Sequence, residues 1–186
     1  MYPALTARIQ ALLEARENPV LIAIDGPAGS GKSSLAAALH HHFPGSLVIH
    51  ADDFFLQPHQ RTQARLDEPG GNLDRERLLQ QVIIPVKAGR YQGHQRFNCQ
   101  TGSMEEVPGA LSPLVILEGS YCHHPGLRGY YDLTVFLDID EAAQLQRLKA
   151  RCPSDTLLSR FKNAWIPLEN TYFKHFNIRA KADLIV

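Results

Sequence analysis

The segment Gly26-Pro27-Ala28-Gly29-Ser30-Gly31-Lys32-Ser33 constrains this chain more than any other. It fits the spacing GxxxxGK[ST], a glycine-rich loop whose backbone N–H groups turn inward around phosphate oxygens. That pattern needs a strand running in and a helix running out. Val20-Leu21-Ile22-Ala23-Ile24 is a short unbroken apolar run of the kind buried on both faces of a sheet, and residues 35–43 read as a helix. The helix start, with Ser34, adds the positive end of its dipole to the anion site. Lys32 supplies a mobile charge for the β- and γ-phosphates, and the Ser33 hydroxyl suits Mg²⁺. An ordinary glycine turn is the plainer alternative, and the strand–loop–helix context weighs against it.

The rest of the chain repeats that alternation. Leu5, Ile9, Leu12 and Leu13 mark one face of a helix over residues 4–16, which Asn18-Pro19 ends. Residues 47–49, 114–117, 134–137 and 182–186 read as four further short apolar strands. Residues 74–85 and 141–150 read as helices; another is capped by Ser154 and runs to residue 165, with Pro167 breaking or kinking it. Short apolar strands alternating with helices imply parallel βαβ units. The expected fold is therefore α/β: a P-loop NTPase architecture of three layers, with a five-stranded parallel sheet, helices on both faces and a lid. At 186 residues the chain is one domain's worth. We expect a single P-loop kinase domain over 1–186, with a substrate-facing insertion at about 54–113 and a lid at about 147–160. Within the insertion, 54–73 reads as a long loop and 86–113 as an irregular stretch or small hairpin.

Composition narrows the partners. Nineteen Lys+Arg balance 19 Asp+Glu, so the footprint of a general nucleic-acid or anionic-membrane binder is missing. The longest apolar runs fall far short of the ~20 residues of a membrane span, and neither sits in a signal-peptide arrangement. The expectation is a soluble cytoplasmic protein with neither nucleic acid nor membrane as partner. Cys99, Cys122 and Cys152 are odd in number and lack CxxC spacing, which reads as reduced thiols. His40-His41-His42 converge poorly on one ion and suit the negative end of a helix.

Acidic and basic groups gather around the loop in sequence. Asp52 and Asp53 leave the second strand at its carboxyl end, where open parallel sheets bind ligands. A carboxylate there can accept a hydroxyl proton or hold Mg²⁺ through water. Neighbours leaving a strand point oppositely, so one of the two faces the phosphate. Glu118 stands at the same edge, before Gly119, in a Walker-B-like position for a Mg²⁺-bound water. Solvated loop acids are the plainer reading of all three. Arg147 and Arg151 are i, i+4 before Pro153, and Arg160 lies on the next helix. Arginines on a helix–break–helix can close over phosphates; a solvated face is the plainer reading.

Together IAIDGPAGSGKSSLA, HADDFF, GGNLDRERL, VILEGSY, and YDLTVFLDID followed by RLKAR resemble the uridine kinase-like branch of P-loop small-molecule kinases. That branch also includes phosphoribulokinase and pantothenate kinase. The resemblance runs from the P-loop to the terminal strand. It implies ATP as donor, Mg²⁺, and a small-molecule hydroxyl as acceptor. It also implies Asp52 as the catalytic base, Glu118 as the acid near Mg²⁺, Asp74 beside the acceptor sugar, and Arg147 and Arg151 as lid arginines. Tyr91, Arg96 and Phe97 fall in the acceptor-reading stretch, where the chain departs from the family. Phe97-Asn98 replaces the usual Tyr-Asp pair, and residues 90–96 do not clearly reproduce the nucleoside-reading His and Tyr.

The function expected is transfer of the γ-phosphoryl group of ATP to a small-molecule hydroxyl, with a nucleoside as leading acceptor. A nucleotide-binding regulatory ATPase module without an acceptor is the rival. The complete set Lys32, Asp52, Glu118 and lid arginines favours the kinase, since a mere binder has no use for it. The guanine-reading Asn-Lys-x-Asp of a GTPase does not occur.

Overall fold

The computed structural model describes residues 2–186. In chain order it contains α1 (Pro3–Ala15), β1 (Val20–Asp25), α2 (Lys32–His42) and β2 (Leu47–His50). An excursion then carries α3 (residues 75–87) and the hairpin β3 (Gly93–Asn98) and β4 (Ser103–Pro108). The chain returns through β5 (Leu114–Glu118), β6 (Leu133–Phe136), α4 (Glu141–Arg151), α5 (residues 155–176) and β7 (Leu184–Ile185). The main sheet is ordered β2-β5-β1-β6-β7, with every neighbouring pair parallel, as the sequence predicts.

Three layers follow from the two buried faces of β1. Val20, Ile22 and Ile24 pack with Leu5 and Ile9 of α1 and with Leu35, Ala36 and Leu39 of α2. Leu21 and Ala23 pack on the opposite side with Leu78, Val82 and Val86 of α3 and Tyr172 of α5. Fully burying a large aliphatic side chain is worth about 1.5–3 kcal/mol, so these contacts hold the helices more firmly than propensity does. Register then sets the edge that matters: Ile24 pairs with Glu118, and Glu118 with His50, in one row at the carboxyl ends of β1, β5 and β2.

Three local expectations need correction. Asp52 and Asp53 do not simply leave a strand; they lie on a 3-10 turn, Ala51–Phe54. Successive side chains there diverge by about a third of a turn rather than alternating across a pleat. The stretch 54–73 is not a bare loop. It holds the turn Pro58–Gln60, the short helix Gln63–Asp67 capped by Thr62, and a bridge between Phe55 and Leu73. Pro167 does not end the helix that Ser154 caps. A π turn, Phe161–Trp165, comes just before it, and the N–H of Ile166 reaches back to Phe161. The widened turn eases the usual clash of a proline ring with the preceding turn, so α5 continues to Phe176. Pro85 sits behind a second π turn, Leu79–Ile83, within α3.

The hairpin expected within 86–113 is present as β3–β4. The three cysteines are free thiols, and the histidine run lies in the last turn of α2. Among the described residues no helix is long and apolar enough to cross a membrane.

Candidate active site

The phosphate-binding loop is anchored at its root by a buried carboxylate. Asp25 Oδ1 accepts the Gly26 N–H at 2.7 Å, while Oδ2 accepts the His123 N–H at 3.0 Å and the Tyr172 hydroxyl at 2.9 Å. Gly26 is obligatory: at φ +151° a Cβ would lie 2.3 Å from the Leu137 carbonyl oxygen. Gly31, at φ +106°, turns the chain into α2 in the left-handed region that glycine tolerates. Lys32 is largely buried and its Nζ donates to the carbonyls of Gly26 (2.7 Å) and Pro27 (3.1 Å).

Two helices hold the loop from outside. Gln144 Nε2 donates to the Ala28 carbonyl at 2.9 Å, and Arg147 Nη1 to the Ser30 carbonyl at 2.9 Å. Glu169 of α5 is buried; its Oε2 accepts the Ala28 N–H at 2.8 Å and its Oε1 the Ser120 hydroxyl at 2.7 Å. Burial pushes the Glu169 carboxyl up, against the pull of Lys32 and its hydrogen bonds.

At the sheet edge Glu118 Oε1 accepts the Ser33 hydroxyl at 3.1 Å and lies 2.6 Å from His50 Nδ1. That hydrogen bond to Glu118 is the chief reason the His50 imidazole is held above its ordinary range. Asp52 opens onto the cleft beside them. It is exposed to the cleft, yet desolvation by the surrounding protein, then the charge of Glu118, raises its carboxyl. Asp53 turns the other way, its Oδ2 3.0 Å from His94 Nε2, and His94 Nδ1 meets the Tyr91 hydroxyl at 2.8 Å.

Lys32, Ser33, Asp52 and Glu118 thus share one cleft of about 560 Å³, a size suited to a small-molecule ligand. One wall brings Arg151, Arg160, Phe161 and Trp165 from α4 and α5; the other brings Phe55, Arg61, Asn72 and Cys99 from the excursion.

No protein-family model matches the chain. Uridine kinases of Bacillus cereus (strain AH187) and Bacillus thuringiensis (strain Al Hakam) are each 27% identical over 172 residues, spanning 84% of this chain and 80% of theirs. A possible uridine kinase from Bacillus stearothermophilus superposes over 98% of both chains, with TM-score 0.68 and 21% identity. D-glycerate 3-kinase from Cryptococcus neoformans superposes over 89% of this chain and 86% of its own, with TM-score 0.59 and 17% identity. The chain is thus similar in sequence to uridine kinases and shares the α/β fold of P-loop kinases. At family level its relatives are small-molecule kinases.

Within this frame Asp74, Tyr91, Arg96 and Phe97, expected from sequence to read the acceptor with Asp52, do not line the cleft. Asp74 caps α3: Oδ1 accepts the Arg77 N–H at 3.0 Å, and Oδ2 accepts Gln60 Nε2 at 2.8 Å and Arg77 Nε at 3.2 Å. Tyr91 is buried, and burial, with Asp53 nearby, pushes its hydroxyl up to about 12. Arg96 is exposed and pairs with Glu105 at 2.6 Å; Phe97 is buried in β3. Arg147 grips loop carbonyls, whereas Arg151 faces the cleft with its guanidinium over the Phe161 ring. Glu169 and His50 carry no spacing signal in the sequence, because their partners lie far along the chain, and Arg61 and Cys99 reach the cleft only through the fold of the excursion.

Proposed function

We propose that the chain transfers the γ-phosphoryl group of ATP to a hydroxyl of a small molecule bound in this cleft. The observation that carries the reading is the contact of Ser33 with Glu118 in a cleft shared with Lys32 and Asp52. That donor set fits Mg²⁺, which typically takes one or two protein oxygens and fills its octahedron with water and phosphate oxygens. Among the described residues no three His, Cys, Asp or Glu side chains cluster as a metal cage, so a protein-only site is not the alternative. Ser33 and Glu118 would hold the ion, with Asp52 reaching it through water. When bound, it would neutralise charge on the β- and γ-phosphate oxygens.

The loop N–H groups and the start of α2 bind the phosphates. Lys32 leaves its two carbonyls for the transferred group, and Arg151 and Arg160 meet it from the facing wall. Residues 147–160 act as the lid that brings those arginines in. Asp52 orients the acceptor hydroxyl. A bond forms from the hydroxyl oxygen to the γ-phosphorus, the bond to the β,γ-bridging oxygen breaks, ADP leaves, and the hydroxyl proton passes to Asp52. A raised carboxyl suits that last step, since a base works best near the operating pH. The names of the relatives put nucleosides first among acceptors to test; the geometry requires only a hydroxyl.

The test is ADP release in a screen of hydroxyl compounds, with the phosphorylated product identified. Release that depends on one compound supports the proposal. Release indifferent to every compound supports a regulatory ATPase instead.

A further inference from the structure

The two walls of the cleft differ in what they can bind. Arg151 and Arg160, together with Lys32, already supply three cations for a triphosphate. Arg61 lines the same cleft from the excursion that follows Asp52, and is the arginine of that excursion that does so. Its Nε donates to the Leu56 carbonyl at 3.0 Å, which fixes the guanidinium plane. Neither Nη has a hydrogen-bond or carboxylate partner among the described residues, whereas Arg65, Arg75, Arg77 and Arg96 pair with Glu76, Glu68, Asp74 and Glu105. A fixed guanidinium with both terminal nitrogens free presents a fork that matches an oxyanion.

Apart from Asn72, the groups that could read a neutral polyol from this side are spent elsewhere. Both Asp74 oxygens are occupied, Gln60 is bound to Asp74, and His94 is held between Asp53 and Tyr91. What remains beside Arg61 is Phe55, Asn72 and Cys99, a wall without a free carboxylate.

We propose that the acceptor is an anionic alcohol, its carboxylate or phosphate held by Arg61 while Asp52 orients the hydroxyl. The inference rests on the phosphotransfer reading and makes Arg61 a specificity-determining residue of it.

The experiment compares three sets of acceptors with ATP and Mg²⁺. Hydroxy acids (glycerate, gluconate, pantothenate) and phosphorylated alcohols (glycerol 3-phosphate, ribose 5-phosphate) form the two anionic sets. Uridine, cytidine, fructose and glycerol form the neutral set. The expected result is that a member of one anionic set gives the highest kcat/KM, and which set it comes from names the anion. Arg61→Gln should then raise the KM for that acceptor roughly 10- to 100-fold, the usual worth of a hydrogen bond to a charged group. kcat at saturation should fall far less, and Arg61→Lys should recover part of the affinity. Thermal melting and nucleotide binding of each variant check that it is folded. A neutral compound with the highest kcat/KM would overturn the inference while leaving phosphotransfer standing. So would an unchanged KM in folded Arg61→Gln. No ADP release with any set would bring down the phosphotransfer reading itself.

Discussion

Lys32 spends its charge on two carbonyls of its own loop, an arrangement that keeps a nearly buried ammonium satisfied until phosphate arrives. Lys32→Ala should therefore lower turnover by on the order of 10²–10³, the usual loss when one transition-state donor is removed. Circular dichroism should show the fold intact, and near-full turnover in the folded variant would mean that the loop does not bind the transferred group. Asp52 and Asp53 separate more sharply. Asp52→Asn should cut turnover by on the order of 10²–10⁴ while nucleotide affinity survives. Asp53→Asn, facing His94, should be milder and act through the placement of its neighbour. Equal or reversed losses, measured with a confirmed acceptor, would move the base to Asp53. That Lys32, Ser33, Asp52 and Glu118 gather at one cleft was legible from sequence, because each lies at a strand end or loop whose pattern is local. Glu169 was not: its partners Ala28 and Ser120 lie 141 and 49 residues away, and nothing in PLENTYF announces them.

Helix α5 is both wall and clamp. Glu169→Ala would strand the buried Ala28 N–H and the Ser120 hydroxyl, a loss of about 1–3 kcal/mol. Glu169→Gln keeps an acceptor for one of them and should lose less; equal melting temperatures for the two variants would contradict this account. On α4 the paired arginines divide. Arg151→Met should lower turnover more than stability, whereas Arg147→Met should loosen the loop and weaken nucleotide binding. The short helix Pro125–Arg128 carries a pH signature. His124 Nδ1 caps it by accepting the Gly126 N–H at 3.1 Å, which needs a neutral ring. Burial first, then Arg75 and Arg65, outweigh Glu68 and Glu76 and lower the imidazole to about 4. The unfolded chain protonates nearer ~6.5. The contribution is thus complete above that pH and drains away as pH falls towards about 4. Melting temperature should drop across that window, and His124→Asn, which caps without titrating, should reduce the slope. His123, pushed down chiefly by its own burial, keeps part of it. An unchanged slope would remove His124 from the account. Helix ends such as Ser154 could be read in advance. The continuity through Pro167 could not, because a π turn leaves no residue pattern of its own.

At the scale of the molecule the sheet was the most legible part, since each of its five strands falls in a short apolar run. The acceptor side was the least legible: its residues meet through contacts between 51–73 and the hairpin, not through periodicity. The single tryptophan, Trp165, lies on the cleft wall that carries Arg160. Its emission should shift when ATP and Mg²⁺ are added, and an emission spectrum indifferent to saturating nucleotide would argue against closure of that wall. The excursion between β2 and β5 is braced from within as well as by the packing of α3 on the sheet. Arg77 of α3 donates to the carbonyls of Asp53 and Phe55, makes a further bond to the Gln95 carbonyl, and stacks on Phe54; His94 returns from the hairpin to Asp53. The excursion is therefore a braced insert between two strands, β2 and β5, that lie side by side in the sheet. Evolution or an engineer could vary its hairpin and the stretch 55–73, retargeting the cleft while the phosphate loop, Asp52 and α3 are kept.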